Sequence, residues 1–406
     1  MIAQMPDSKK SKIFTKNFLI LFFIQMMIFS SLSLSGSIFP YWLSNQFNIS
    51  SDKVGIILGL AGVGMILSRP FMGYVVDKFG RKNMLIVSLF LFAFTNFLYI
   101  QVNNINAVLL IRFFQGIPFT LSTTAISTLA SDLIPEDRRG EGLSYFSISS
   151  TVSLGIGPSL GFAFYAISWM RPFIISIAIC FISLFISFFV RVPDQLTVSD
   201  NKYSLKSIFE KKILIISVVG AISFMAMPSI FSFIAFYAKE LNIYLSNIGL
   251  IFSFYAVGLL LIRLFGARII EKKSPAFSGS LSIILLTIGL LLISLSRSLE
   301  SLLIGSLIVG AGSGTILPTL LTMALNIVPE KKGICNALIF GGLDLANSAG
   351  LLLFGAIVGK TGDYSFTYLM FALFEVIALL IFLFITIPYY KRSKFELNLI
   401  GEPAKG

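Results

Sequence analysis

The chain has 406 residues, of which 56% are hydrophobic and 14% aromatic, while only 12% carry charge. That is too apolar for a soluble protein and too long for a single crossing, so an all-α polytopic membrane protein is the expected class. The formal net charge of +12 raises the question of nucleic acid, which the placement of the charges excludes.

A hydrocarbon core of roughly 30 Å needs about twenty apolar residues per helix. Twelve such runs can be placed, beginning near residues 18, 54, 83, 107, 142, 171, 213, 247, 277, 301, 335 and 366. The first continues from Phe18 to Trp42 without the short core and cleavage site of a secretory signal, so it reads as a span. It carries Gln25, Ser30, Ser33 and Ser37 among its apolar residues. Loop cations alternate in density. Lys78, Arg81, Lys82, Arg138, Arg139, Lys272 and Lys273 fall on the side of the termini, whereas the opposite loops hold only Lys53, Arg171, Lys239, Arg297 and Lys360. The positive-inside rule therefore places both termini in the cytoplasm.

Between the second and third runs lies segment 73–82, with Gly73, Asp77, Gly80, Arg81 and Lys82. Gly80 permits a tight reversal, and the charges stand where water first becomes available. The pattern of Gly, three residues, Asp, two residues and Gly-Arg-Lys resembles the signature between the second and third helices of the major facilitator superfamily of secondary transporters. In the fourth run, Arg112 precedes Gln115 and Gly116, similar to the fourth-helix motif of proton-coupled members. Ser122, Thr123 and Ser127 follow in the same run. The fifth run holds Gly157, Pro158 and Gly161, similar to the antiporter motif of exporters, although Ser153 and Phe162 replace expected glycines. Small residues let helices approach closely and the proline kinks the helix, so this face is expected to form a seal or pivot between the two halves.

Residues 193–212 form the one long internal polar stretch and read as a cytoplasmic linker. Beyond it the seventh run carries Met227 and Phe231 around Pro228, a bulky and adaptable surface suited to amphipathic molecules. The tenth run carries Ser313, Thr315, Thr319 and Asn326. Asp344 in the eleventh run and Glu375 in the twelfth are the carboxylates deep inside predicted spans, and Arg69, Arg112 and Arg263 are the cations there. A charge at mid-bilayer costs about 3 kcal/mol or more, so each must be paired, protonated or in contact with water. With no histidine in the chain, carboxylates are the groups left to carry protons. Cys180 and Cys335 lie in different runs and suggest neither a disulfide nor a metal site.

Displacing the sequence by 194 positions superposes Gly55 on Gly249, Gly64 on Gly258, Arg69 on Arg263, Asp77 on Glu271, Gly116 on Gly310 and Gly161 on Gly355. Six helices have been duplicated, and an even number makes the copies parallel repeats about an axis along the membrane normal. The expected layout is a tail over 1–17, a six-helix bundle over 18–192, the linker over 193–212, a second bundle over 213–388 and a tail over 389–406.

The whole chain resembles the twelve-span drug:proton antiporter branch of that superfamily. The resemblance implies the major facilitator fold and proton-coupled efflux of small amphipathic molecules. The energy then comes from a proton gradient, with no cofactor and no metal. It implies proton coupling at Asp344, Arg112 and Glu375, and a gate at segment 73–82 in which Asp77 meets the start of the eleventh helix. The implied cavity is lined by Gln25, Gln115, Ser122, Thr123, Met227, Phe231 and Thr319. The expected setting is the bilayer of a bacterial cytoplasmic membrane, the expected partners are a small solute and protons, and the expected state is a monomer. Proton symport of a metabolite, or export of one specific metabolite or chelator, uses the same fold. An enzyme is disfavoured, since no histidine, paired carboxylates or activated cysteine forms a catalytic cluster.

Overall fold

A computed structural model describes residues 12–135, 138–191, 211–266, 274–328 and 332–393. Every predicted run is helical and starts within three residues of its expected position. The spans are TM1 (Lys16–Phe47), TM2 (Ser51–Phe79), TM3 (Arg81–Gln101), TM4 (Ile105–Leu133), TM5 (Arg139–Tyr165) and TM6 (Arg171–Ser187). The second half follows with TM7 (Lys211–Met225 and Met227–Glu240), TM8 (Leu245–Leu261), TM9 (Pro275–Ser294), TM10 (Leu299–Ile327), TM11 (Lys332–Thr361) and TM12 (Tyr364–Ile381). Among the described residues ten helices are long and apolar enough to cross a membrane, and TM6 is a shorter apolar helix. TM5, rich in serine and glycine, is 27 residues long. Nearly all of the linker 193–212, the second-half counterpart of the hinge at 268–273 and most of both tails lie outside the described residues.

Local chemistry sets the ends. Thr15 accepts a hydrogen bond from the Phe18 amide, Asp363 accepts one from Phe366 at 2.9 Å, and Ser298 caps TM10. Asn48 closes TM1 with φ +50°. Gly80 has φ +91° at the reversal from TM2 to TM3, a conformation that a side chain disfavours. In TM7, Pro228 lacks an amide hydrogen and its ring crowds the preceding turn, so the span breaks at Ala226 into two helices.

The duplication is visible as duplicated contact. A Cβ on Gly64 would strike the Phe113 carbonyl, and one on its repeat mate Gly258 would strike the carbonyl of Leu307, the repeat mate of Phe113. Gly116 lies equally close to the Ala61 carbonyl, and Gly310 to that of Tyr255. TM2 thus packs on TM4 as TM8 packs on TM10, backbone against backbone.

Three apolar clusters show how the halves meet. One crosses both halves at the face opposite the termini, with Phe39, Trp42, Tyr99 and Phe173 from the first half and Phe233, Phe252, Phe354 and Tyr368 from the second. Toward the face that carries the termini the core divides. Phe18, Leu89, Phe92 and Ile126 belong to a cluster confined to the first half, and Ile216, Leu320, Ile339 and Phe382 to one confined to the second. The halves are fused on the far face and packed separately on the terminal face. TM7 follows the same division. Its second helix touches TM1, while its first helix packs on TM10, TM11 and TM12 of its own half.

Candidate functional site

Three of the charged side chains in the spans, Arg69, Asp344 and Arg263, lie at the joint between the halves. TM2 and TM11 run side by side, with Gly55 against Gly355 and Gly59 against Leu352. Farther toward the terminal face, Arg69 of TM2 forms an ion pair with Asp344 of TM11. Both residues stood out in the sequence as costly charges; their pairing was not legible there, because nothing in linear order brings positions of separate halves together. On the opposite side of the joint TM5 and TM8 meet, and Arg263, the repeat mate of Arg69, reaches TM5 by donating to the Thr151 hydroxyl at 2.6 Å.

Arg112 lies elsewhere. It is near the far-face end of TM4, where its Nη1 donates to Gln115 Oε1 at 2.8 Å and its guanidinium lies 4.4 Å from the Phe39 ring centroid. The Tyr99 hydroxyl donates to the same Gln115 oxygen at 3.0 Å. Gln115 is therefore a clamp between TM3 and TM4, and Arg112 stacks beneath the aromatic cluster of the far face. Glu375 of TM12 is fully buried, with neither oxygen hydrogen-bonded among the described residues, and Ser223 of TM7 lies beside it. Its environment belongs to the second half alone. Glu375→Gln, which keeps shape and removes the titrating group, is expected to leave solute-driven proton movement within about twofold of wild type, because its described neighbour is Ser223 and not the Arg69–Asp344 pair.

In the hinge, Arg81 forms an ion pair with Asp132 at the end of TM4, and its other terminal nitrogen lies 3.4 Å from Asp77. The described partner of Asp77 is thus its own hinge arginine, and the first-half latch runs to TM4. Asp77 was expected to meet the start of TM11, where residues 329–331 and the side chains of 332–334 lie outside what the structure describes. Lys82 donates to the Phe188 carbonyl at 2.7 Å, tying the hinge to the end of TM6. A Cβ on Gly73 would meet nothing within 4 Å.

The glycine motif of TM5 is divided between two neighbours. Gly157 and Gly161 lie against Ser33 and Leu34 of TM1, inside the first half, and Pro158 is buried in the same helix. The face that TM5 turns to the second half is formed by Gly155, close to Ala256, and by Ser159, which donates to the Gly249 carbonyl at 2.7 Å and lies 2.8 Å from Ser253 Oγ. The contact of TM5 with the second half therefore falls on Gly155 and Ser159 rather than on Gly157 and Gly161, because residues two apart on a helix face different ways.

Several residues expected in a cavity have partners inside a bundle. Thr319 shares a 2.8 Å hydrogen bond with Ser278 of TM9, and Thr315 bonds Ser282 of the same helix. Ser122 and Thr123 donate to the Phe119 carbonyl one turn back, at 2.8 and 3.0 Å. Gln25 is buried on TM1. Met227 Sδ accepts from Ser313 at 2.9 Å, and the Phe231 ring packs against Tyr255 at 5.1 Å, both where TM7 breaks. Met227 and Phe231 thus both pack on Tyr255, against the cluster that seals the far face.

Sequence comparison matches this chain to the Major Facilitator Superfamily over residues 21–296 and 216–401. The chain belongs to that superfamily. It is therefore a membrane-embedded carrier of small molecules with the twelve-helix fold of the family. It is 20% identical over 355 residues to the quinolone resistance protein NorA of Staphylococcus aureus (strain Mu50 / ATCC 700699), covering 84% of this chain and 90% of NorA. Multidrug resistance protein 1 of Bacillus subtilis (strain 168) is 22% identical over 354 residues, with 84% and 89% covered. Among solved structures, a D-xylose-proton symporter superposes with a TM-score of 0.75 at 16% identity, over 92% of this chain and 97% of the symporter. That last likeness concerns the fold.

Proposed function

We propose that this carrier exports small amphipathic molecules in exchange for protons, by alternating access, as a monomer in a bacterial cytoplasmic membrane with the terminal face inside. The observation that carries this reading is the Arg69–Asp344 pair at the joint. The pair exists only while TM2 and TM11 lie together. Rocking the halves so that these helices part leaves two opposite charges unsatisfied in a medium that solvates them poorly. A proton on Asp344 cancels its charge and makes the separation less costly, which couples proton occupancy to the direction the carrier faces. The distribution of lysine and arginine in the loops supports a cytoplasmic terminal face. The names of the two resistance proteins support efflux of several compounds, and the Met227–Phe231 surface suits apolar cargo. Segment 73–82 then serves as the gate, tied down through Arg81.

Proteoliposomes loaded with a pH-sensitive dye and challenged with cationic dyes and small metabolites provide the test. Proton movement opposite to the solute is the expected result. Movement in the same direction makes the protein a symporter, and solute flux with no proton movement at any imposed pH gradient removes the coupling.

A further inference from the structure

The internal repeat gives the two sides of the joint equivalent arginines but unequal partners. Arg69 has Asp344. The displacement of 194 that carries Arg69 onto Arg263 carries Asp344 back onto Ser150, so the second arginine meets hydroxyl groups where the first meets an acid. Arg263 has one short hydrogen bond, from Nη1 to Thr151 Oγ1 at 2.6 Å. Its contacts with the Ser147 hydroxyl, the Ser147 carbonyl and the Gly314 carbonyl are all 3.5 Å long. A guanidinium has five N–H donors, and no carboxylate among the described residues pairs with this one. Arg263 is partly rather than fully buried. The backbone is also unusual here. Residues Ile262–Gly266 form a π-helical turn at the end of TM8, a distortion that often marks functional positions.

We propose that Arg263, Thr151 and Ser147 form a subsite for an oxyanion, most simply the carboxylate of an amphipathic solute, which supplies the charge that Asp344 supplies to Arg69. The Thr151 hydroxyl accepts from Arg263 and donates to the Ser147 carbonyl at 3.1 Å; a carboxylate would take two parallel N–H bonds from the guanidinium and draw the Thr151 proton away from that carbonyl. The anion bridges TM5 and TM8, so its arrival and departure act on the same joint as the proton on Asp344. The identification of the anion as cargo rests on the carrier reading above; the binding itself does not require proton coupling or a direction of transport.

The test is equilibrium binding of dansylglycine and of its neutral methyl ester to the full-length protein in dodecyl maltoside, a detergent without phosphate, followed by dansyl fluorescence. Wild type is expected to bind the acid at least about tenfold more tightly than the ester, the scale of a charge-assisted hydrogen bond. Arg263→Gln is expected to bring that ratio to about one, and Thr151→Val, which leaves the charge in place, to lower it about threefold. Thermal melts of both variants establish that they are folded, and Arg263→Lys is expected to retain part of the ratio, since an ammonium keeps the charge without the fork. Added phosphatidylglycerol distinguishes the sources. Displacement of the acid from wild type assigns the site to a lipid phosphate head group, and indifference assigns it to a solute. A wild-type ratio near one, or a ratio unchanged in Arg263→Gln, overturns the proposal. Proton movement that survives in Asp344→Asn, with this ratio intact, would count against the coupling reading alone.

Discussion

Asp344→Asn is expected to abolish solute-driven proton movement in proteoliposomes and to lower the thermal stability of the protein. The asparagine has nearly the same shape, so packing against TM2 is kept while the proton site is removed. It also leaves Arg69 with no acid. Removing one partner of a fully buried ion pair costs about 3–5 kcal/mol. With Arg69 at 29% and Asp344 at 12% side-chain exposure, water compensates part of the loss, and about 2 kcal/mol is the expected cost. The double variant Arg69→Met with Asp344→Asn removes the orphaned charge as well, and is expected to recover the melting temperature while remaining uncoupled. That split separates a role in coupling from a role in folding. Proton movement that survives in Asp344→Asn at wild-type rate would show that the joint is not where the proton acts.

Gly310→Val is expected to prevent accumulation of folded protein. A Cβ at Gly310 points at the backbone of Tyr255, whose Cα lies 3.0 Å from where it would be. A backbone cannot rotate aside as a side chain can, so TM8 and TM10 have to separate, and this undoes the packing of the second half around Leu259 and Val309. Overpacking in a core costs about 1–3 kcal/mol where side chains absorb it; here more is expected. Gly116→Val should fail in the same way in the first half, against Ala61 and Met65. Gly73→Ala and Gly341→Ala meet nothing within 4 Å and provide the contrast, with folding expected to be unchanged in each. Size-exclusion profiles of the four variants read the outcome, and a monodisperse Gly310→Val would refute the close-contact argument.

The spans, their number and the duplication were legible because the bilayer imposes a length and a polarity on every helix, and because glycines superpose at one displacement. The glycines also carried tertiary information: Gly64 with Gly116, and Gly258 with Gly310, mark where helices of each half touch backbone to backbone. Residue roles were less legible. Serine and threonine on a membrane helix look alike whether they line water or join helices, so Thr319 gave no sign that its partner is Ser278. Periodicity alone did not tell which neighbour each glycine of TM5 faces, since that depends on rotation of the helix about its axis. Arg69 and Asp344 were recognisable as expensive, but nothing in linear order paired one with the other. The clamp at Gln115 required the structure, since Tyr99 reaches it from another helix.

The aromatic cluster that fuses the far face has a consequence for the timing of the carrier. Opening that face means breaking a shared apolar core between two bodies, so energetically it resembles partial unfolding more than the turning of a hinge. Such a step has an activation heat capacity, and the speed of the whole cycle would then respond to temperature along a curve rather than a straight Arrhenius line.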